Sequence, residues 1–126
     1  MADSGLFLTF CALYNLGFAI FHILFWRIFG WKKDLASLTH VNRSIMQILN
    51  LRLIYIFLVM ALVLFVFQNE LTATKLGQAL LISFSVFWFM RTVEQVIFFG
   101  VKNKISLAMT VLFLLGGVIH LIPLIS

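Results

Sequence analysis

Residues 85–99 read SVFWFMRTVEQVIFF, an apolar run that carries one arginine, Arg91, and one glutamate, Glu94. The run belongs to a longer apolar segment, long enough to lie in a lipid bilayer. Because the two ionisable residues are three positions apart, they would share one face of a helix. Ionised groups inside hydrocarbon are costly and normally face a bundle interior, where they pair or line a path. The stretch therefore predicts a membrane helix in which Glu94 pairs with Arg91 or, from a neighbouring helix, with Arg52.

The composition of the chain predicts an integral membrane protein. Of its 126 residues, 63% are hydrophobic and 10% are charged. Soluble domains have about 45–50% apolar and about 25% charged residues. We therefore expect one transmembrane domain over residues 1–126, with no separate soluble module. The net charge of +5 is typical of Lys and Arg at a cytoplasmic membrane rim, so we expect no nucleic acid as a partner.

Four apolar segments predict an all-α fold with four transmembrane helices. Short connections favour antiparallel neighbours, as in an up-down bundle. Gly100 is expected to end the third helix, and a polar loop is expected over residues 68–74. The predicted helices cover residues 5–29, 45–67, 76–99 and 105–125.

The first apolar run is expected to be a retained helix and not a signal peptide. A signal peptide begins with a basic region and has an apolar core of about 7–15 residues. Here the preceding residues 1–4 include Asp3 and no Lys or Arg, and the apolar run is longer.

The distribution of basic residues predicts the orientation. The first and third connections, with their flanks, contain six of them, whereas the second connection contains only Lys75. The positive-inside rule then places both basic connections in the cytoplasm and both termini outside, in a bacterial-type inner (plasma) membrane. The six residues are Arg27, Lys32, Lys33, Arg43, Lys102 and Lys104.

Polar residues at similar depth predict two layers, with depth taken from the rise of about 1.5 Å per residue. An inner layer falls in the cytoplasmic half of the membrane and a smaller layer in the outer half. The outer layer is expected to form interhelical hydrogen bonds worth about 0.6 kcal/mol each. The inner layer contains His22, Gln47, Asn50, Arg52, Arg91, Glu94 and Gln95. The outer layer contains Asn15, Ser83, Ser85 and His120.

The inner layer is compatible with three kinds of chemistry. Arg91 and Glu94 can form an ion pair that fixes helix register, or Glu94 can carry a proton or cation. The arginines can instead clamp an anionic head group or substrate, because a guanidinium matches phosphate and carboxylate. His22 is expected to be a hydrogen-bonded core residue. A two-histidine haem site is disfavoured, since His120 falls about 10–15 Å from the level of His22.

The sequence favours a non-enzymatic function. It contains no metal-ligand cluster, phosphate loop or nucleophile motif, and one cysteine, Cys11, so no cofactor is expected. We expect an accessory or interaction subunit, or a module that binds an anionic lipid head group through the inner layer. The alternative is a small proton-coupled transporter centred on Glu94, and the third interpretation is an enzyme with Glu94 and His22 as acid and base. The expected partners are the bilayer, an anionic lipid, another membrane protein or further copies of the chain.

Overall fold

A computed structural model describes the backbone of residues 2–126 and the side chains of residues 4–126, so the Asp3 side chain lies outside the described residues. Over this range the protein is all-helical. A 3₁₀ turn, Leu35–Ser37, lies between the third and fourth helices. The helices are α1 (Ala2–Ile23), α2 (Phe25–Ile28), α3 (Trp31–Asp34), α4 (His40–Val66), α5 (Gln68–Ala73), α6 (Lys75–Phe99) and α7 (Lys104–Ile125).

Four of these helices, α1, α4, α6 and α7, are long and apolar enough to cross a membrane. Their apolar spans contain 20 to 27 residues, compared with the about 20 that a bilayer requires. The four apolar helices expected from the sequence are therefore confirmed, although their bounds differ. The start of α4 lies five residues before the predicted position because Thr39 caps it. The Thr39 hydroxyl accepts a hydrogen bond from the Asn42 N–H at 3.4 Å.

The segment predicted as one helix over residues 5–29 is interrupted at Leu24. This residue has φ −85° and ψ 1°, so α1 ends at Ile23 and α2 continues for one further turn. Gly30 then adopts a φ of 60°, a left-handed conformation that favours glycine. The chain turns there into α3, before the start of α4.

Arg43, expected as a rim residue, organises the connection that precedes α4. Its Nε donates to the Leu35 carbonyl at 2.9 Å. Its Nη2 donates to the carbonyls of Ala36 and Leu38 at 3.3 and 3.0 Å. The Leu35 carbonyl also accepts the turn's own hydrogen bond from the Leu38 N–H. A single guanidinium therefore ties to the first turn of α4 the carbonyls from the start of the 3₁₀ turn to the residue after it.

The prediction of a polar loop over residues 68–74 is wrong, because most of this segment forms α5. Leu71 of α5 is fully buried, and Gln68 Nε2 donates to Thr9 Oγ1 on α1 at 3.1 Å. The segment is held by this buried leucine and by this hydrogen bond to α1. A count of polar residues reveals neither. On its other side, α5 packs against α6 at Gly77.

The first long helix is central to the packing. Helix α1 packs against α4 on one side and against α7 on the other, and α7 in turn packs against α6. All four long helices contribute to an aromatic core around Trp88, which is 1% exposed. The indole stacks between Phe57 and Phe113, with ring centroids 5.4 and 5.9 Å away, and Phe18 lies 4.7 Å away.

Helices α4 and α6 leave an apolar groove between them. They approach through side chains such as Phe57 and Phe87, whose ring centroids are 5.8 Å apart. The groove has a volume of about 280 Å³. We call it the α4–α6 groove, and it is lined by Ile56, Val59, Met60, Val63, Leu80, Ser83, Phe84 and Phe87.

Candidate functional site

Asn15 on α1 is the centre of a buried hydrogen-bond network. The side chain is 0% exposed. Its Nδ2 donates to the Cys11 carbonyl at 2.8 Å and lies 2.9 Å from His120 Nε2 on α7. Its Oδ1 accepts from Trp88 Nε1 on α6 at 3.2 Å. Three helices therefore meet at one amide, whose two N–H groups and carbonyl oxygen all have partners.

The network fixes the tautomer of His120. His120 Nδ1 lies 2.6 Å from the Gly116 carbonyl, and a carbonyl only accepts, so Nδ1 carries the proton. Nε2 then accepts from the Asn15 amide. A second proton on Nε2 would face an N–H group, and turning the amide over would set its oxygen against the Cys11 carbonyl. The hydrogen bonds are consistent only with a neutral imidazole.

The two serines of the predicted outer layer have different environments. Ser85 is buried and donates to the Gly117 carbonyl on α7 at 2.6 Å. Ser83 is exposed and donates to the Ala79 carbonyl of its own helix at 2.8 Å. Two positions along a helix correspond to a rotation of about 200°, so the two side chains cannot face the same side. Asn15, Ser85 and His120 thus lie inside the bundle, and Ser83 does not.

Arg91 of the predicted inner layer contacts α7 and its own helix. Its Nη2 donates to Gln95 Oε1 at 3.1 Å, and its Cζ lies 4.5 Å from the centre of the Phe113 ring. Gln95 Nε2 donates to Ser106 Oγ at 2.9 Å, and Ser106 Oγ donates to the Gly100 carbonyl at 2.5 Å. This chain of hydrogen bonds holds the half-buried guanidinium against the end of α6.

The structure does not show the expected ion pair between Arg91 and Glu94. Glu94 is exposed, and the described residues place no cation in salt-bridge contact with it. The reason is rotation about the helix axis. Arg91 turns toward Gln95, one turn further along α6 and on its α7 side, whereas Glu94 lies about 60° from Arg91 on the other side. Arg52, the other expected partner, is also exposed and lies outside salt-bridge distance of Glu94.

His22 and Asn50 form a separate contact between α1 and α4. His22 Nδ1 donates to the Phe18 carbonyl at 2.8 Å, and its ring stacks on Phe25 at 4.2 Å. Asn50 is 6% exposed, and its Nδ2 donates to the His22 carbonyl at 3.0 Å. Its Oδ1 is buried without a hydrogen-bond partner among the described residues. Gln47 is half-buried one turn before this contact.

The seven residues of the predicted inner layer therefore do not form one site. Arg91 and Gln95 form one cluster and His22 and Asn50 a second, while Glu94 and Arg52 lie on the outside of the molecule. Within residues 4–126, no three His, Cys, Asp or Glu side chains are placed to hold a metal ion. The polar groups around Asn15 are thus satisfied by one another, Asn50 Oδ1 is left without a partner among the described residues, and the ionisable Glu94 and Arg52 are exposed.

Sequence reasoning missed two members of these networks, Trp88 and Ser106. Trp88 lies three residues after Ser85, on the same face of α6, and a buried indole N–H normally has an acceptor. That spacing was a usable signal. Ser106 lies in the first turn of α7 and carried no comparable signal.

Comparison with known proteins adds no family to this description. The chain matches no protein-family model, no curated protein and no solved structure.

Proposed function

We propose that the protein is a multi-pass membrane protein and a non-enzymatic interaction subunit, which associates laterally with its partner through the α4–α6 groove. The observation that carries the proposal is the placement of polar groups. Those at the bundle centre, around Asn15, bond one another, whereas the ionisable Glu94 on α6 and Arg52 on α4 are exposed, on the two helices that form the groove.

Cross-helix hydrogen bonds support an up-down arrangement of the four long helices. Asn50 on α4 bonds His22 near the end of α1. Gln68, the first residue of α5 directly after α4, bonds Thr9 nearer the start of α1, so the chain from α4 into α5 runs against α1. Between α6 and α7 the same relation holds for two further pairs, Ser85 with Gly117 and Gln95 with Ser106. Ser4 at the start of α1 bonds Ser126 after α7. Each pair runs in opposite directions, as short connections across a bilayer require.

Helix geometry puts both exposed ionisable residues on the lips of the groove, meaning the two edges that α4 and α6 form along it. Glu94 lies two turns beyond Phe87 and, at 100° per residue, within about 20° of its direction. Arg52 lies one turn before Ile56 and about 40° from its direction. Both side chains therefore extend the groove surface toward the end of the bundle that carries the basic connections. A charged group on such an apolar surface is costly in lipid unless a partner satisfies it.

We expect both termini to lie outside the cell, with both basic connections in the cytoplasm. Reporter fusions after Ser126 and after Asn69 should read as external, and a fusion after Lys33 as cytoplasmic. The exposed residues Arg27, Lys32, Lys33, Lys102 and Lys104 all belong to those two connections or their flanks. A cytoplasmic signal from the Ser126 fusion would contradict this orientation.

A photo-crosslinking residue at Ile56 is expected to capture protein in intact membranes, because Ile56 lines the groove and is 41% exposed. The matched control is Leu62 on the same helix. It is 59% exposed and lies about 120° away, outside the groove. We expect discrete protein adducts from position 56 and only lipid adducts from position 62, measured by mass spectrometry. Lipid adducts alone at both positions would contradict the proposed interaction surface.

A further inference from the structure

We infer that the occupant of the α4–α6 groove is a second copy of this chain, held by two reciprocal ion pairs between Arg52 of one copy and Glu94 of the other. The inference rests on the proposed function, since it specifies the partner at the same surface. It starts from an apolar groove and from helix geometry, which puts the exposed Arg52 on the α4 edge and the exposed Glu94 on the α6 edge, both beyond the same end of the groove.

A two-fold axis running along the groove pairs these charges without further adjustment. When two copies face each other across such an axis, α4 of each copy lies against α6 of the other. The interface is isologous, so a contact between position 52 and the partner's position 94 occurs twice. A surface with Arg52 on one lip and Glu94 on the other is therefore self-complementary.

The two residues also lie at compatible levels along the bundle. Arg52 is one turn, about 6 Å, beyond the groove residue Ile56, and Glu94 is two turns, about 10 Å, beyond Phe87. The Phe87 ring lies 5.8 Å from the ring of Phe57, the residue after Ile56, so Ile56 and Phe87 lie at a similar level. The two charges therefore differ in level by about 4–5 Å. A two-fold axis parallel to the bundle preserves this level in the second copy, and an extended arginine side chain spans the difference.

Charge sign separates a second copy from a lipid head group as the occupant. An anionic head group would satisfy Arg52 but would repel Glu94, which lies on the other lip of the same groove. A second copy satisfies both signs and also covers the apolar groove walls. The ring of Phe84 and the side chain of Val59 line those walls and would supply packing at the interface.

Charge reversal tests the inference. We expect Arg52→Glu alone and Glu94→Arg alone each to lower the association constant at least about tenfold, because each places like charges together twice. The double variant Arg52→Glu/Glu94→Arg should restore association, since the two charges exchange positions and each still faces an opposite charge in the second copy. Arg27→Glu, on the exposed α2 and outside the groove, is the control and should associate like the wild type. The measurement is single-molecule photobleaching of the labelled full chain in liposomes over a range of protein densities.

Mixing the two single variants gives the sharpest outcome. One variant carries two acidic side chains at the interface and the other carries two basic ones, so neither should pair with itself. Together they should form a heterodimer with both ion pairs, detected by energy transfer between two dyes. If a reversed variant fails to fold, Arg52→Gln and Glu94→Gln replace the pair. Each should weaken association, and mixing should restore it in part, because the heterodimer keeps one Arg52–Glu94 pair and each homodimer keeps none.

Three results would overturn the inference: a monomeric wild type at all densities, a double variant as weak as the singles, or neutral variants that associate like the wild type. These outcomes are distinct from failure of the proposed function. A monomeric chain whose Ile56 crosslinks to a different protein removes the second copy but keeps the interaction surface. Lipid adducts alone at Ile56 remove both.

Discussion

Replacing Asn15 with alanine is expected to lower the free energy of unfolding by about 2–5 kcal/mol. The change leaves the Trp88 indole N–H and the His120 Nε2 without partners, and each unsatisfied buried group costs about 1–3 kcal/mol. The imidazole cannot turn to present Nε2 to another donor, because His120 Nδ1 is already bonded to the Gly116 carbonyl. Thermal and denaturant unfolding in detergent measures the loss.

Two comparisons separate this network from ordinary side-chain packing. Ser83→Ala removes an exposed hydroxyl that bonds its own helix, and it should change stability by about 0.5 kcal/mol or less. Asn15→Leu combined with His120→Leu should cost less than the sum of the two single changes, because the double variant leaves fewer orphaned groups. Strict additivity would show that Asn15 and His120 do not interact.

Gly77→Ala is expected to destabilise the protein by about 3 kcal/mol, at the upper end for an overpacked site. A Cβ at Gly77 would lie 2.2 Å from the Glu70 carbonyl oxygen and 2.4 Å from the Leu71 Cα. These are backbone atoms of α5, so no side-chain rotation relieves the contact. The junction between α5 and α6 must open, which exposes the buried Leu71.

Gly17→Ala is the matched control for this substitution. A Cβ at Gly17 would meet no atom within 4 Å, and alanine is the better helix former by up to about 1 kcal/mol. We expect Gly17→Ala to leave the unfolding midpoint unchanged or to raise it. Equal destabilisation by both alanine variants would contradict the close backbone contact at Gly77.

The number and positions of the long helices followed from apolar length, which is a property of the sequence itself. The ends of these helices were harder to predict, because they depend on single side chains. Thr39 begins α4 five residues before the apolar run suggested. Leu24 interrupts a run that is apolar throughout. Polar composition misassigned residues 68–74, where one buried leucine, Leu71, anchors a short helix.

The level of the site residues along the bundle could be predicted from the sequence, but the direction in which each side chain points from its helix could not. Asn15, Ser85 and His120 were expected at one level, and the structure places all three in the bundle interior around α7. Arg91 and Glu94 were also expected at one level and on one face. The i, i+3 spacing leaves about 60° between their side chains. Arg91 bonds Gln95, on the side of α6 that faces α7, and does not bond Glu94. Depth follows from counting residues, whereas rotation depends on which helices become neighbours.

The partners of Asn15 are distant in the chain: Trp88 is 73 positions later and His120 is 105 positions later. A ribosome completes α1 and α4 well before it reaches either of them. During synthesis the Asn15 side chain therefore has one local hydrogen-bond partner, the Cys11 carbonyl, until Trp88 and His120 have been made. In the proposed membrane setting, the newly made first hairpin holds a half-satisfied polar group within lipid until the last helix arrives.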